Sequence, residues 1–493
     1  MNRFTLCSAR TSHPAGLRMR AKPLALALAL ASAAGDGNAV ALPGQDLRPQ
    51  TWIGNFIPGV PALAPSKEPG PIPSHPASTW VVTTCGDTGP GSLRDVIDHF
   101  AGDGDTIDMT ALTCGTITLS TGLVTSASNL TLQGPGRTAL ILYGNDALRP
   151  ITHLGTGTLA VSSMSIWHGY ALATGADDTA GGGIASKGSV SLDDVSVKYC
   201  KTATAGTGFA RGGGVFATYN FAARSSMIKY NDARTNLGYA RGGGVVAGGS
   251  AQFDYTTIGG NQAFANITPR SAGGGVLSYY GGALRQSTVS GNEAGGAGGV
   301  VFLNGHSAIS QSTVSGNSST DSIIGAGAYV RTGFTVLVEN STITGNIERN
   351  PSNNRYGAGL SLGIGTSASV VSTIVAGNRL DDGTALLWFS DINGALGSSI
   401  SGDHDLVGWS GIPAPADTLY TIDPKLGPLT DNGGPTYTHA LRPTSPAINA
   451  GNNITGVPVD QRGTGFARVI GANVDIGAFE FNVDDLIFAD DFD

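Results

Sequence analysis

The phrase Ser-Thr-Val-Ser-Gly-Asn stands at residues 287–292 and again at 312–317, and looser copies of it pace out the middle of the chain. Aligned on the apolar residue, the copies read IWHG at Ile166, VKYC at Val197, IKYN at Ile228 and IGGN at Ile258. They continue as VSGN at Val289 and Val314, ITGN at Ile343 and IVAGN at Ile374. The intervals are 31, 31, 30, 31, 25, 29 and 31 residues. A second landmark falls between copies: GGGIAS from Gly181, GGGVFA from Gly212, GGGVVA from Gly242 and GGGVLS from Gly273, then the looser GGVVFL, GAGAYV and GAGLSL.

A period near 30 residues marks stacked supersecondary units. Each unit holds short alternating β segments bounded by Gly and Asn, without helical periodicity. One turn of a parallel β-helix per unit satisfies this pattern, with strands hydrogen-bonded to the turns above and below at ~4.8 Å. The repeated Ile or Val then points inward as an apolar ladder. The Asn takes a turn position, where it tolerates left-handed geometry and can bond to the backbone or to the next Asn. Glycine supplies 74 of the 493 residues, about twice its usual share of roughly 7%, but no three-residue period accompanies it, which excludes collagen.

The N-terminus reads as a secretory leader. Arg3, Arg10, Arg18, Arg20 and Lys22 precede the run LALALALASAA, which contains the small-residue site Ala31-Ser32-Ala33. The run is shorter than the ~20 residues a membrane-spanning helix needs. Without residues 1–33, the five basic residues leave the count, and 23 Lys+Arg face 36 Asp+Glu, a net charge of −13. That sign argues against nucleic acid or an anionic membrane as partner. Residues 40–79 hold nine of the 24 prolines and read as an extended linker. In an exported chain a disulfide is allowed, and Cys85 and Cys114 flank the first structured segment, so they are expected to pair. Cys200 is left as a buried small residue.

A solenoid exposes strand edges at both ends, so caps are expected. Ser92 and Asp95 resemble a capping box, and Leu93, Val96, Ile97 and Phe100 follow helical spacing, which predicts a short amphipathic helix closing the N-terminal end. The GGG[IV] and S-T-[IV]-x-G-N units resemble repeats of bacterial secreted right-handed parallel β-helix proteins of the pectate-lyase-like fold, and those of polymorphic outer-membrane proteins. The stretch TCGDTGPGSLRDVIDHFAGDGDTIDM at 84–109 is similar to the start of such proteins. DPKLGPLTDNGGPTYTHALRPTSPAINAGN, followed by VDQRGTGFARVIGANVDIGAFEF, resembles the choice-of-anchor Q domain. The resemblance spans Thr84 to Phe481. It implies an exported, all-β, single-stranded right-handed parallel β-helix with a short N-terminal capping helix and a C-terminal cap. The expected division is leader 1–33, linker 34–79, N-terminal cap 80–105, β-helix 106–417, C-terminal cap 418–482 and acidic tail 483–493. The fold does not imply a reaction, because β-helices carry lyases, hydrolases, adhesins and tailspikes.

A hydrolase needs a general acid and a base placed together. Asp177-Asp178 and Asp193-Asp194 are present, but the Gly-His-Gly of polygalacturonases is not, and His306 lies in LNGHSA. The Trp-x-Asp-His and Arg-x-Pro-x-x-Arg signatures of pectate lyases are also missing. The early copies offer a basic and aromatic strip instead. Trp167, Lys198 and Lys229 fall in register, as do His168, Tyr199 and Tyr230, while FARGGG and YARGGG align Arg211 with Arg241 beside Phe209 and Tyr239. From the fourth copy Gly, Ser and Thr replace the Lys/Tyr pair. Three readings stay open. The strip is a by-product of repeat duplication; or it binds an anionic sugar polymer through Arg211, Arg241, Trp167, Tyr199 and Tyr239; or it is a uronate-lyase site with Lys198, Lys229, His168 or Tyr230 as base and an arginine neutralising the carboxylate.

Asp460, Arg462, Arg468, Asp475 and Glu480 read as an ion-pair network of the C-terminal cap. Asp403, His404 and Asp405 in SGDHDLVG form a solvated turn or ligate a cation; no calcium-repeat motif, zinc spacing or phosphate loop occurs, so no metal or cofactor is assigned and Ca2+ has no motif behind it. The expected protein is a secreted or surface-associated monomer that binds polysaccharide or cell-surface glycan in an adhesin-like way, with a polysaccharide lyase as the alternative and a glycoside hydrolase behind it.

Overall fold

A computed structural model describes residues 75–483, apart from 268–269, 321–323, 332–333, 350–356, 382 and 384–387. The leader at 1–33, nearly all of the linker at 34–79 and nearly all of the acidic tail lie outside these residues. Among the described residues no helix is long and apolar enough to cross a membrane.

The chain winds into a right-handed parallel β-helix of about ten turns with very little helix. One complete turn runs Val215–Ala217, Phe221–Arg224, Met227–Lys229, Asp232–Thr235 and Ala240–Arg241 before the next Gly-rich re-entry. Strands equivalent to the first make a ten-stranded sheet, the second and third share a 22-stranded sheet, and the fourth and fifth stack as nine- and four-stranded sheets. The triple glycines make the re-entry: Gly212 has φ 59°, and a Cβ there would stand 2.1 Å from the Val215 carbonyl oxygen. No L side chain fits so tight a doubling of the backbone.

The core column of the third strands is Ile117, Leu142, Ile166, Val197, Ile228, Ile258, Val289, Val314, Ile343, Val375 and Val407, paired one over the next. All are buried in one continuous cluster. Burial of such a side chain stabilises by ~1.5–3 kcal/mol. The register corrects the last copy of the phrase: Ile343 pairs with Val375, not Ile374. IVAGN therefore aligns as V-A-G-N, and Ile374 points outward into a separate core formed with the C-terminal module.

The two polar residues of the phrase are ladders too. Each Asn accepts from the backbone N–H and the side-chain amide of the Asn one turn before: Asn231 donates to Asn261, then on through Asn292, Asn317, Asn346 and Asn378, with N···O distances of 2.8–3.1 Å. Each also donates to the preceding core column, as Asn292 does to the Ile258 carbonyl at 3.0 Å. Cys200 heads the ladder, donating its N–H to Asn231, and burial pushes its thiol up to about 12. The Ser of the phrase forms a parallel hydroxyl ladder through Thr256, Ser287, Ser312, Ser341 and Thr373. The expected left-handed Asn is not the left-handed residue. That conformation belongs to the residue before it, which is Gly260, Gly291, Gly316, Gly345 and Gly377 in the later turns.

Both ladders end on a buried carboxyl. Asn378 donates to Asp391 and Thr373 donates to Asp405, and burial pushes these groups up to about 6 and about 8. Each therefore binds its proton more tightly folded than unfolded, where Asp titrates at ~3.9. The stability they supply is complete below about pH 4 and is lost as pH rises through the folded values, at up to ~1.4 kcal/mol per pH unit for each group. We expect Asp391→Asn/Asp405→Asn, which keeps the acceptors without the charge, to lose less stability than the parent between pH 4 and pH 9. Parallel pH profiles of the denaturation midpoint would contradict this.

At the N-terminus Ser92 caps the helix Leu93–His99, accepting from the Asp95 N–H, and Leu93, Val96 and Ile97 are buried. A disulfide joins Cys85 to Cys114. At the other end, residues after Thr421 fold back along the flank of the solenoid. Gln286 donates to the Asp460 carbonyl, Thr288 to the Tyr437 carbonyl, Thr313 to Gln461, and Arg468 to Asn340, while Ser372 bonds Asn452. The module thus straps successive turns together. Its own core holds Arg462 against Asp460 at 2.8 Å and between the rings of Phe466 and Phe479, with Arg468 3.9 Å from Glu480.

Candidate functional site: a basic and aromatic strip

Next to each core residue, the third strand turns one side chain outward. Along the early turns this column reads Thr118, Tyr143, Trp167, Lys198 and Lys229, then Gly259, Ser290 and Ser315. Parallel in-register pairing places the two lysines on adjacent turns, ~4.8 Å apart in backbone. Lys198 Nζ lies 5.6 Å from the Trp167 ring centre, and Lys229 Nζ 5.2 Å from that of Tyr230. Burial, then Lys229 and Arg137, hold the Lys198 ammonium below its ordinary range. Like charges brought this close favour an anion between them.

Beside the lysines runs an aromatic stack. The centroids of Tyr143 and His168, His168 and Tyr199, and Tyr199 and Tyr230 are 5.1, 5.1 and 5.4 Å apart. His168, Tyr199 and Tyr230 occupy the left-handed position at φ 54°, 56° and 59°, the very position that Gly fills in the later turns. Tyr199 and Tyr230 are 45% and 48% exposed. His168 also contacts Asp146 at 2.9 Å.

Sequence reasoning missed two members. Tyr143 sits in LYGN, an earlier copy of the repeated phrase with Leu as its core residue, and that pattern was there to be found. Arg137 belongs to a loop before the first full repeat, donates 2.7 Å to the Ser225 carbonyl and lies 3.4 Å from Asp194. An 88-residue separation leaves no local signal for it.

Arg211 and Arg241 are in register but not beside the lysines. Both are 2% exposed, on the four-stranded sheet, packed on Phe209 and Tyr239, whose rings stack at 4.9 Å. Arg211 pairs with Asp178 at 3.0 Å, and burial brings Arg241 down to about 10. Asp177 and Asp178 line a cleft of about 420 Å³ with Arg149 and Thr179. Asp193 is exposed and aligned in backbone register with Arg224, and Asp194 lies 3.4 Å from Arg137. His306 packs edge-on against Phe334. Asp403, His404 and Asp417 bring ligand atoms within 4.8 Å of one another, a spacing that can hold a cation, while Asp405 closes the hydroxyl ladder instead.

No protein-family model matches the sequence, and no curated protein matches it. Among solved structures, the crystal structure of pectate lyase Pel9A is similar in fold, with 13% identity over 83% of this chain and 98% of that one and a TM-score of 0.44.

Proposed function

We propose that this is an exported β-helix protein that binds an acidic polysaccharide or cell-surface glycan along the strip of Tyr143, Trp167, His168, Lys198, Tyr199, Lys229 and Tyr230. The observation that carries the reading is the backbone under the aromatic stack. A left-handed non-glycine residue costs ~1–2 kcal/mol. Gly260, Gly291, Gly316, Gly345 and Gly377 show that the same turn closes without that cost. Rings stand at this position on three successive turns, those of Tyr199 and Tyr230 half-exposed, where Gly closes the same turn in five others. Strain held against a relaxed alternative points to use. Ammonium groups answer carboxylates, and ring faces answer the C–H faces of sugars. The leader and the choice-of-anchor Q resemblance of the C-terminal module belong to the same reading.

Tyr199→Gly/Tyr230→Gly tests it. The lost ring packing, ~0.5–1.5 kcal/mol per pair, is offset by relief of strain, so stability is expected to stay within about 1 kcal/mol of the parent. Retention on a polygalacturonate affinity gel is expected to fall, with no change on a neutral glucan gel. A large loss of stability with retention intact would assign the rings to folding alone.

A second reading, a uronate lyase, is favoured by the depressed Lys198 ammonium beside Lys229 and Arg137. Lys198, as the neutral amine, would take the C5 proton beside the carboxylate while its neighbours neutralise that carboxylate; the C4–O glycosidic bond then breaks as the C4–C5 double bond forms, and the leaving oxygen takes its proton from water or from the Lys198 ammonium. Ultraviolet absorbance of unsaturated products, rising with the parent and flat with Lys198→Ala, is the expected result under this reading. A flat trace with the parent on every uronate polymer removes it.

A further inference from the structure

The outward column that carries the lysines does not stay open. Toward the N-terminus it runs on through Trp167 and Tyr143 to Thr118, which is exposed. Toward the C-terminus the flanking module lies across it. Ser315, two turns beyond Gly259 in the same column, is hydrogen-bonded to His439 at 2.8 Å. The neighbouring outward position is half-buried at Met227 and Thr257 and fully buried at Thr288, which donates 2.6 Å to the Tyr437 carbonyl. Thr313 and Thr342 are closed in turn by Gln461 and by the Ala478 N–H. Gly463 stands so close to Tyr255 that a Cβ would meet its ring at 3.2 Å.

We infer that the strip is a blind-ended site that receives the end of a linear polyuronate chain, with the C-terminal module as its stop. This rests on the glycan-binding reading above. A chain laid along the column places its sugars over Tyr143, Trp167, Lys198 and Lys229, and its terminal residue reaches past buried Gly259 to half-buried Ser290. To continue it would have to pass through His439 and Tyr437. A chain interior therefore cannot lie in register on both sides of the wall, while a terminus fits without bending. The C-terminal module would then set which part of the polymer is bound, in addition to strapping the turns.

The test uses the whole chain and two probes of equal mass: long polygalacturonate, and the same material partially hydrolysed to shorter chains. Calorimetric titration reads the number of binding sites per gram. We expect that number to rise by the same factor as the number of chain ends. Equal sites per gram for the two preparations, with Lys198→Ala/Lys229→Ala weakening both, would overturn the chain-end inference and leave the glycan site standing. Binding to neither preparation would overturn both.

Discussion

Asn292→Ala is expected to lower the unfolding free energy by at least about 3 kcal/mol, since each buried polar group left without its partner costs ~1–3 kcal/mol. Asn292 accepts from the N–H and the side-chain amide of Asn261 and donates to the Ile258 carbonyl and to Asn317. Removing it leaves the Asn261 N–H without its acceptor and takes one partner each from the Asn261 amide, the Ile258 carbonyl and Asn317 Oδ1, in an interior that admits no replacement. Because a solenoid turn is held by its neighbours, the loss is felt as a break in the stack. Urea denaturation followed by circular dichroism measures it, with Ser290→Ala, on the outer face of the same turn, as a control expected to shift little. A change under 1 kcal/mol at Asn292 would mean that the amide ladder is decoration on a stack held by the apolar column alone.

That ladder was half legible. The period and the inward Ile/Val follow from the sequence because a solenoid imposes the same environment on every turn, so the same residue types recur. The Ser and Asn of the phrase recur for the same reason. Their roles were harder to separate, since Asn is at home both in left-handed turns and in buried amide ladders. The deciding fact is that the preceding Gly already supplies the left-handed residue. Ile374 misled because two adjacent apolar residues each have a core to enter, one inside the solenoid and one under the module.

The site was legible within the third strand and no further. Register alone aligned Trp167, Lys198 and Lys229, and it aligned Arg211 with Arg241 equally well. Register does not say which side of a sheet is covered. The arginines are buried on the four-stranded sheet, in register with Ala180 and Ala272 of a second apolar cluster, and a repeat reads the same in either place. Arg137 and the wall at Tyr437 and His439 come from contacts 88, 149 and 124 residues away in sequence, beyond any local pattern.

The second large effect is on binding. Lys198→Ala/Lys229→Ala removes two ammonium groups that face the same anion, and a hydrogen bond to a charged group is worth ~1.5–3 kcal/mol, less where water competes, so affinity for a polyuronate should fall roughly ten- to a hundredfold. Stability should hardly move, since both side chains point outward from the stack. Raised salt should weaken the parent far more than the variant, because screening acts on the charges that the variant lacks. The core apolar column and both ladders are untouched by the change.

The most direct measurement is therefore a calorimetric titration of the parent and of Lys198→Ala/Lys229→Ala with polygalacturonate at low and high salt. Saturable binding by the parent, weakened by salt, is expected, with its near loss in the variant at unchanged thermal stability. Equal binding by the two proteins, or none by the parent, would contradict the claim that this strip is the working face of the molecule.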